Sequence, residues 1–486
     1  MLLSSSDSGR HDPAAPDPGP DGDPRRGRWR WRLGLLIPLA VLVTLVFGVG
    51  GWQSEALKPR TAAKDPPPLV PRASEVTLLP TKLAPAPVDV AQGAANAAVE
   101  LAGSGDHSLV RWLPDWGLWG NHDAAPGARV NWGSPYWWQS AIELRALIRY
   151  LELTHNSQPI YQQVIVGTFE RNVRRPGTPV PVNFGNKWMD DTAWWGLAWL
   201  EAARYELNIR DDQALAARFL KVAEWTANYV WTQPRACHQA GIEWQRGFPP
   251  DTITNAEFVA LAGELAYFLE QPGPFQNTAA ARIWTSRGSQ ILWWLRRVNL
   301  ANIRSGHVYD GYDAGCKIAG GALVYTLGEM ADGLVQMGLA TGRSVDFWEA
   351  KQFIKYAFRP KSRMLSGGVL QQPCEAEARR CINLPSVHDS TVYKGLFVDA
   401  VSDWEVATGS TDYDGFLRRQ SQAVIDAASN GSRLTQCQTP HECQFTFYWA
   451  RPEAPAVSHL AVAPGSQESG LSVLTDELTA TSGFTG

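Results

Sequence analysis

From about Val88 to Asn430 the apolar residues recur with helical spacing. In the stretch 211–231, Leu215, Phe219, Val222, Thr226 and Tyr229 fall on one stripe, and Arg218, Lys221, Glu224 and Asn228 fall off it. That pattern is an amphipathic helix with one buried face. Trp137–Leu151 and Trp188–Tyr205 differ: their aromatic and aliphatic residues spread around most of the helix, so those helices are buried on several sides. The periodicity predicts helices over 88–103, 135–154, 158–172, 190–207, 211–231, 251–269, 277–299, 321–341, 345–357, 389–408 and 413–429. Strand-like alternation is rare. One-sided helices alternating with all-round apolar ones imply two concentric rings, an all-α barrel of about six helical hairpins.

The ends of the chain break this pattern. Leu33 to Trp52 carries no charge and is about long enough to cross a bilayer. Arg25, Arg26, Arg28, Arg30 and Arg32 precede it. A cleaved signal peptide is the competing reading, but the run exceeds a usual apolar region and no clear small-residue cleavage site follows. The expectation is a signal anchor at 33–52 behind a disordered basic cytoplasmic segment, 1–32. The Arg cluster then places the body outside the cell membrane, a single-pass type II arrangement. Pro59, Pro66, Pro67, Pro68, Pro71, Pro80, Pro85 and Pro87 make 53–87 a semi-rigid linker. The helical domain is expected at 88–451. The stretch 452–486, rich in Ala, Pro, Ser, Gly and Thr, reads as a disordered tail.

Charge and cysteine content narrow the function. A net charge of −4 argues against nucleic acid as a partner. All six Cys lie beyond the anchor, which points to disulfides. Cys374 with Cys381, Cys437 with Cys443 and Cys237 with Cys316 is one pairing among the 15 that six allow. No Cys-x-x-Cys, His-Glu-x-x-His, Walker loop or Gly-x-Ser-x-Gly elbow occurs, so no metal and no cofactor are expected. The chain is expected to be a monomer.

What remains is carboxylates among tryptophans. Sixteen of the 22 Trp fall between Trp112 and Trp294, and flat indole faces are what sugar rings stack on. Within that region lies Trp188-Met189-Asp190-Asp191-Thr192-Ala193-Trp194-Trp195. An Asp pair can simply begin a helix. Here the carboxylates repel each other and aromatic rings flank them on both sides. Two such groups suit a retaining glycosidase, one attacking the anomeric carbon and one protonating the leaving oxygen. Mutual repulsion and burial separate their pKa values. Glu143 reads as a salt-bridge partner ahead of a lumen-lining group, Asp310 and Asp313 around Tyr312 as either turn or functional residues, and His388-Asp389 as the cap of the helix after them.

The Met189–Trp195 motif, continuing through Gly196-Leu197-Ala198-Trp199-Leu200, resembles the paired-Asp motif of glycoside hydrolase family 76. That family comprises bacterial endo-α-1,6-mannanases and their fungal wall transglycosylase relatives. Cys237 to Trp244, Thr252-Ile253-Thr254-Asn255, Tyr309-Asp310-Gly311 and Tyr136 to Ala141 resemble other blocks of the family, in its order. The resemblance covers roughly 90–430. It implies an (α/α)6 barrel acting on an α-mannan-type polysaccharide, with Asp190 as nucleophile and Asp191 as acid/base. It places Trp244, Asn255 and Asp310 near the sugar; Trp138 and Trp195 are added as stacking platforms. The chain departs from the family at Ala240-Gly241 and at Tyr325-Thr326-Leu327-Gly328. Three readings follow: a membrane-anchored mannanase, a transglycosylase on the same site, or a non-catalytic glycan-binding envelope protein.

Overall fold

The computed structural model describes residues 88–103, 110–121, 135–173, 183–372, 375, 387–429, 434–450 and 463–482. The expected anchor, its flanking segments and the Cys374/Cys381 pair lie outside the described residues. Among the described residues no helix is long and apolar enough to cross a membrane.

Fourteen helices are present among the described residues: α1 (Val88–Leu101), α2 (Pro135–Leu153), α3 (Pro159–Asn172), α4 (Met189–Asn208), α5 (Gln213–Trp231), α6 (Cys237–Ala240), α7 (Thr252–Glu270), α8 (Thr278–Arg297), α9 (Val324–Thr341), α10 (Ser344–Ala357), α11 (Val387–Ser390), α12 (Tyr393–Thr408), α13 (Asp414–Asp426) and α14 (Pro464–Ser482). Helices α2, α4, α7, α9, α12 and α14 each pack on two neighbours in that order, and α14 returns to α2, closing an inner ring. Around it, α5 packs on α4, α8 on α7, α10 on α9, and α1 and α13 on α14. Phe169 brings α3 against Trp199 and Phe219. This is an (α/α)6 barrel.

Burial follows the predicted division. Helix α5 buries Phe219, Val222 and Thr226, while Lys221 and Asn228 stay exposed. Helices α4 and α7 are buried along nearly their whole length. Asp212 and Asp251 cap α5 and α7 by accepting the backbone N–H of Leu215 and Thr254.

The C-terminal expectation is corrected. Within 452–486, Pro464–Ser482 is not a tail but the sixth inner helix, and all of Pro464 to Leu478 is buried. Its polar side chains find partners on other elements. Ser466 Oγ donates to Phe445 O (2.7 Å), Ser469 Oγ to Thr391 O (2.9 Å), and Asp476 meets Arg149 of α2 at 3.1 Å. Small residues permit the close approach: a Cβ on Gly470 would overlap the Phe445 ring.

The barrel interior is charged. Arg145 pairs with Glu201 (2.9 Å) and Glu264 (3.6 Å), and Arg149 with Asp403 (2.8 Å). Glu143 is corrected too. It forms no ion pair among the described residues; it is fully buried, and burial pushes its carboxyl well above the usual range. Disulfides join Cys237 to Cys316 and Cys437 to Cys443.

Candidate active site

The site lies where inner helices begin. Met189 N donates to Trp244 O (2.9 Å), and Trp188 bridges Gln245, so the start of α4 is tied to the segment before α7. Thr252 N donates to Asp310 O (2.7 Å) and Asp251 bridges Gly311, tying the start of α7 to the hairpin Gly311–Tyr312/Ile318–Ala319. At the starts of α9 and α12, Tyr325 and Tyr393 stack at 3.8 Å with rings 8° from parallel. Converging helix N-termini favour negative charge at this end of the barrel.

Asp190 and Asp191 occupy the first turn of α4. The Trp244 indole N–H donates to Asp190 Oδ2 (2.9 Å). The Asn186 amide donates to Asp191 Oδ2 (2.5 Å). Burial pushes the Asp190 carboxyl up to about 6, against the pull of the Trp244 N–H and the first-turn amides. Burial and then the Asp190 charge push Asp191 well above the carboxylate range, against the Asn186 N–H. The N–H groups on Asp190 favour its ionised form, and the Asp190 charge in turn favours the neutral form of Asp191. That is the arrangement for nucleophilic attack with acid assistance.

The other predicted residues separate into two groups. Trp244 and Asp310 are at the site; Asp310 is exposed beside the α7 start, and desolvation raises its carboxyl. Trp138, in the first turn of α2, stays partly exposed and able to meet a ring. Trp195 does not: it is fully buried, 5.0 Å from Trp137 and 4.7 Å from Phe184, in the aromatic core. Asn255 is also spent internally. Its Oδ1 accepts Ile242 N–H (2.8 Å) and its Nδ2 donates to Ile242 O (3.0 Å) and Asp251 O (2.7 Å). It braces the loop that carries Trp244. Asp313 is the expected turn residue, its Oδ1 accepting Gly315 and Lys317 N–H.

Several site residues escaped the sequence reading. Asp389 lies in α11 and does not cap α12, whose N-cap is Val392. Its charge acts instead on Asp190, Asp191 and Tyr393. Asp251, Tyr325 and the buried Glu257 feel Asp190 as well. Only Asp251 had a local signal, an Asp ahead of a helix. Among the described residues no cluster of His, Cys, Asp and Glu has metal-binding geometry.

A paired carboxyl site at one end of an (α/α)6 barrel defines a glycoside hydrolase. The chain belongs to glycosyl hydrolase family 76, whose profile matches residues 118–480. No curated protein sequence matches the chain significantly. Among solved structures it is similar to the GH76A α-1,6-mannanase of Salegentibacter sp. HEL1_6, with TM-score 0.58, 18% identity, 81% of this chain and 98% of that chain covered. An inactive variant of that mannanase, with two consecutive Asp replaced by Asn, is known in complex with α-1,6-mannotriose. Dfg5 of Chaetomium thermophilum, in complex with glucosamine, is similar with TM-score 0.55, 19% identity, 71% of this chain and 80% of that chain covered. A family 76 α-mannanase of Bacteroides thetaiotaomicron matches with TM-score 0.55, 13% identity, and 80% and 94% coverage. The non-catalytic reading is set aside.

Proposed function

We propose that the protein is a retaining glycoside hydrolase that cleaves internal α-1,6-mannosidic linkages of a mannan-type polysaccharide. The observation that carries this is the carboxyl pair in the first turn of α4 of a family 76 barrel, with the Trp244 N–H on Asp190 (2.9 Å) and the Asn186 amide on Asp191 (2.5 Å). The Asp190 carboxylate attacks C1 while Asp191 gives its proton to the departing oxygen, leaving a glycosyl ester on Asp190. Asp191, now ionised, takes a proton from water, the water oxygen bonds to C1, and Asp190 is released. The chain has one other Asp-Asp, Asp211-Asp212, which is exposed at the start of outer helix α5. The inactive double variant of the Salegentibacter enzyme therefore supports Asp190-Asp191 as the working pair. Trp138, Trp244 and Asp310 are the substrate-contacting residues of this reading.

The experiment is a screen of the full chain against α-1,6-mannan and other α-mannans, with the products' anomeric configuration followed by NMR. Release of shorter α-1,6-mannooligosaccharides with retained configuration is the expected result; inversion, or cleavage of other linkages alone, overturns it. The same assay separates hydrolysis from transfer, because transfer to a sugar hydroxyl lengthens chains.

We also propose the type II anchor at 33–52, on the strength of the five Arg flanking a charge-free run. Protease added to intact spheroplasts should degrade the body; protection of the body overturns the topology.

A further inference from the structure

We propose that Asn186 is a positioning residue for the acid/base group: its side-chain amide holds Asp191 Oδ2 and so favours the acid proton on Asp191 Oδ1. The inference rests on the role given to Asp191 above, and it concerns a residue outside the paired-Asp motif.

The orientation of the amide is set by its surroundings. The Trp188 backbone N–H, which can only donate, bonds to Asn186 Oδ1 at 2.9 Å. The amide oxygen is therefore fixed on that side, and Nδ2 is the atom turned to Asp191 Oδ2 at 2.5 Å. Thr192 reinforces the arrangement, its Oγ1 accepting Asn186 N–H (3.1 Å) and donating to Trp188 O (3.0 Å). From the outer ring, Tyr229 OH donates to Asn186 O (3.1 Å). Trp225 stacks on Tyr229 at 5.1 Å and lies against Gly185, where a Cβ would not fit. Asn186 is itself buried.

Two consequences follow for Asp191. An N–H aimed at Oδ2 bonds better to a carbonyl oxygen than to a hydroxyl, so it favours the neutral carboxyl with its proton on Oδ1. The same N–H stabilises the carboxylate, opposing burial and the neighbouring Asp190 charge, both of which favour the neutral form. An acid/base must be neutral in the first half of the reaction and charged in the second. Asn186 keeps the charged state within reach.

The test uses Asn186→Asp and Asn186→Ala in the full chain. Asn186→Asp keeps the shape and the acceptor for Trp188 N–H but replaces the donor with a carboxylate oxygen. Asn186→Ala removes both, and where it does not fold, Asn186→Asp alone decides. On the polysaccharide the wild type cleaves, kcat of Asn186→Asp should fall about 100-fold with KM little changed, and the basic limb of the pH profile should move to higher pH. On an aryl glycoside with a good leaving group, the initial burst of phenol should keep its wild-type rate, because that step needs no proton donor. A 13C titration of the Asp191 carboxyl, identified by its absence in Asp191→Asn, should also move to higher pH. A wild-type pH profile and Asp191 titration in Asn186→Asp overturn the proposal, as does an equal loss on both substrates. If the wild type cleaves neither substrate, the functional reading fails, and the Asp191 titration still judges Asn186.

Discussion

Arg149 of α2 and Asp476 of α14 meet at 3.1 Å, joining inner helices that stand 327 residues apart in the chain. Arg149 also grips Asp403 of α12 through both guanidinium Nη atoms, at 2.8 and 3.0 Å. One partly buried cation thus ties together three inner helices at the seam where the barrel closes. Replacing it by Met leaves the Asp403 carboxylate without its cation and the Asp476 carboxyl without a donor, a loss of about 1–3 kcal/mol. Thermal and urea unfolding of Arg149→Met should show it, and a chain ended before Pro464 should give no cooperative transition at all. A stable truncated protein would disprove the closing role of α14.

Stability should also fall as pH rises. Burial and the charge of Asp399 hold the Asp476 carboxyl well above the carboxylate range, against Arg149. The folded state therefore keeps a proton that the unfolded chain releases above about pH 4. Its contribution is complete below that pH and is lost as pH climbs toward the raised folded value. Asp476→Asn should flatten the decline; a melting temperature that depends on pH as in the wild type contradicts this.

Activity should depend on pH in a bell. Asp190 must be ionised and its carboxyl lies at about 6, so kcat/KM should rise through that region. Asp191 must be protonated, and burial together with the Asp190 charge raises its carboxyl, so the fall should come on the alkaline side. Rates across pH 4 to 9 test the order of the limbs; a profile already flat at pH 4.5 removes the raised nucleophile.

Trp244→Phe should move the rising limb alone. It removes the N–H that holds Asp190 ionised, so Asp190 titrates higher. Activity at pH 5 should drop roughly tenfold relative to activity at pH 8. A uniform loss at all pH values would make Trp244 a stacking platform only.

The two aspartates should fail differently. Asp190→Ala should lose turnover on every substrate, since no glycosyl ester forms. Asp191→Ala should still react once with an activated aryl mannoside, and azide should restore turnover with retained configuration. Azide rescue of Asp190→Ala with a retained product would swap the roles, because an inverted azide is what loss of the nucleophile gives.

The sequence by itself determined the helical body and its paired acid. Each of the eleven predicted segments contains a helix, because apolar stripes and caps such as Asp212 are written in neighbouring residues. Asp190-Asp191 stood out for the same reason, as a local conflict of charge within an aromatic run. What only the tertiary structure decided depends on partners far away in the chain. Helix α14 has Ser, Thr, Gly and acidic side chains on every face; it is buried because Phe445, Thr391, Arg149 and Ser421 satisfy them. Trp195 and Trp138 both lie in Trp-rich helices, yet the fold buries the first and leaves the second partly open. Asn255 carries no sign that both ends of its amide are consumed by backbone 13 and 4 residues away. Asp389, more than 190 residues beyond the pair, reaches the site because α12 stands beside α9 and α14 in the closed ring. Local pattern records which surfaces a segment must bury; ring closure assigns the surface that covers each one.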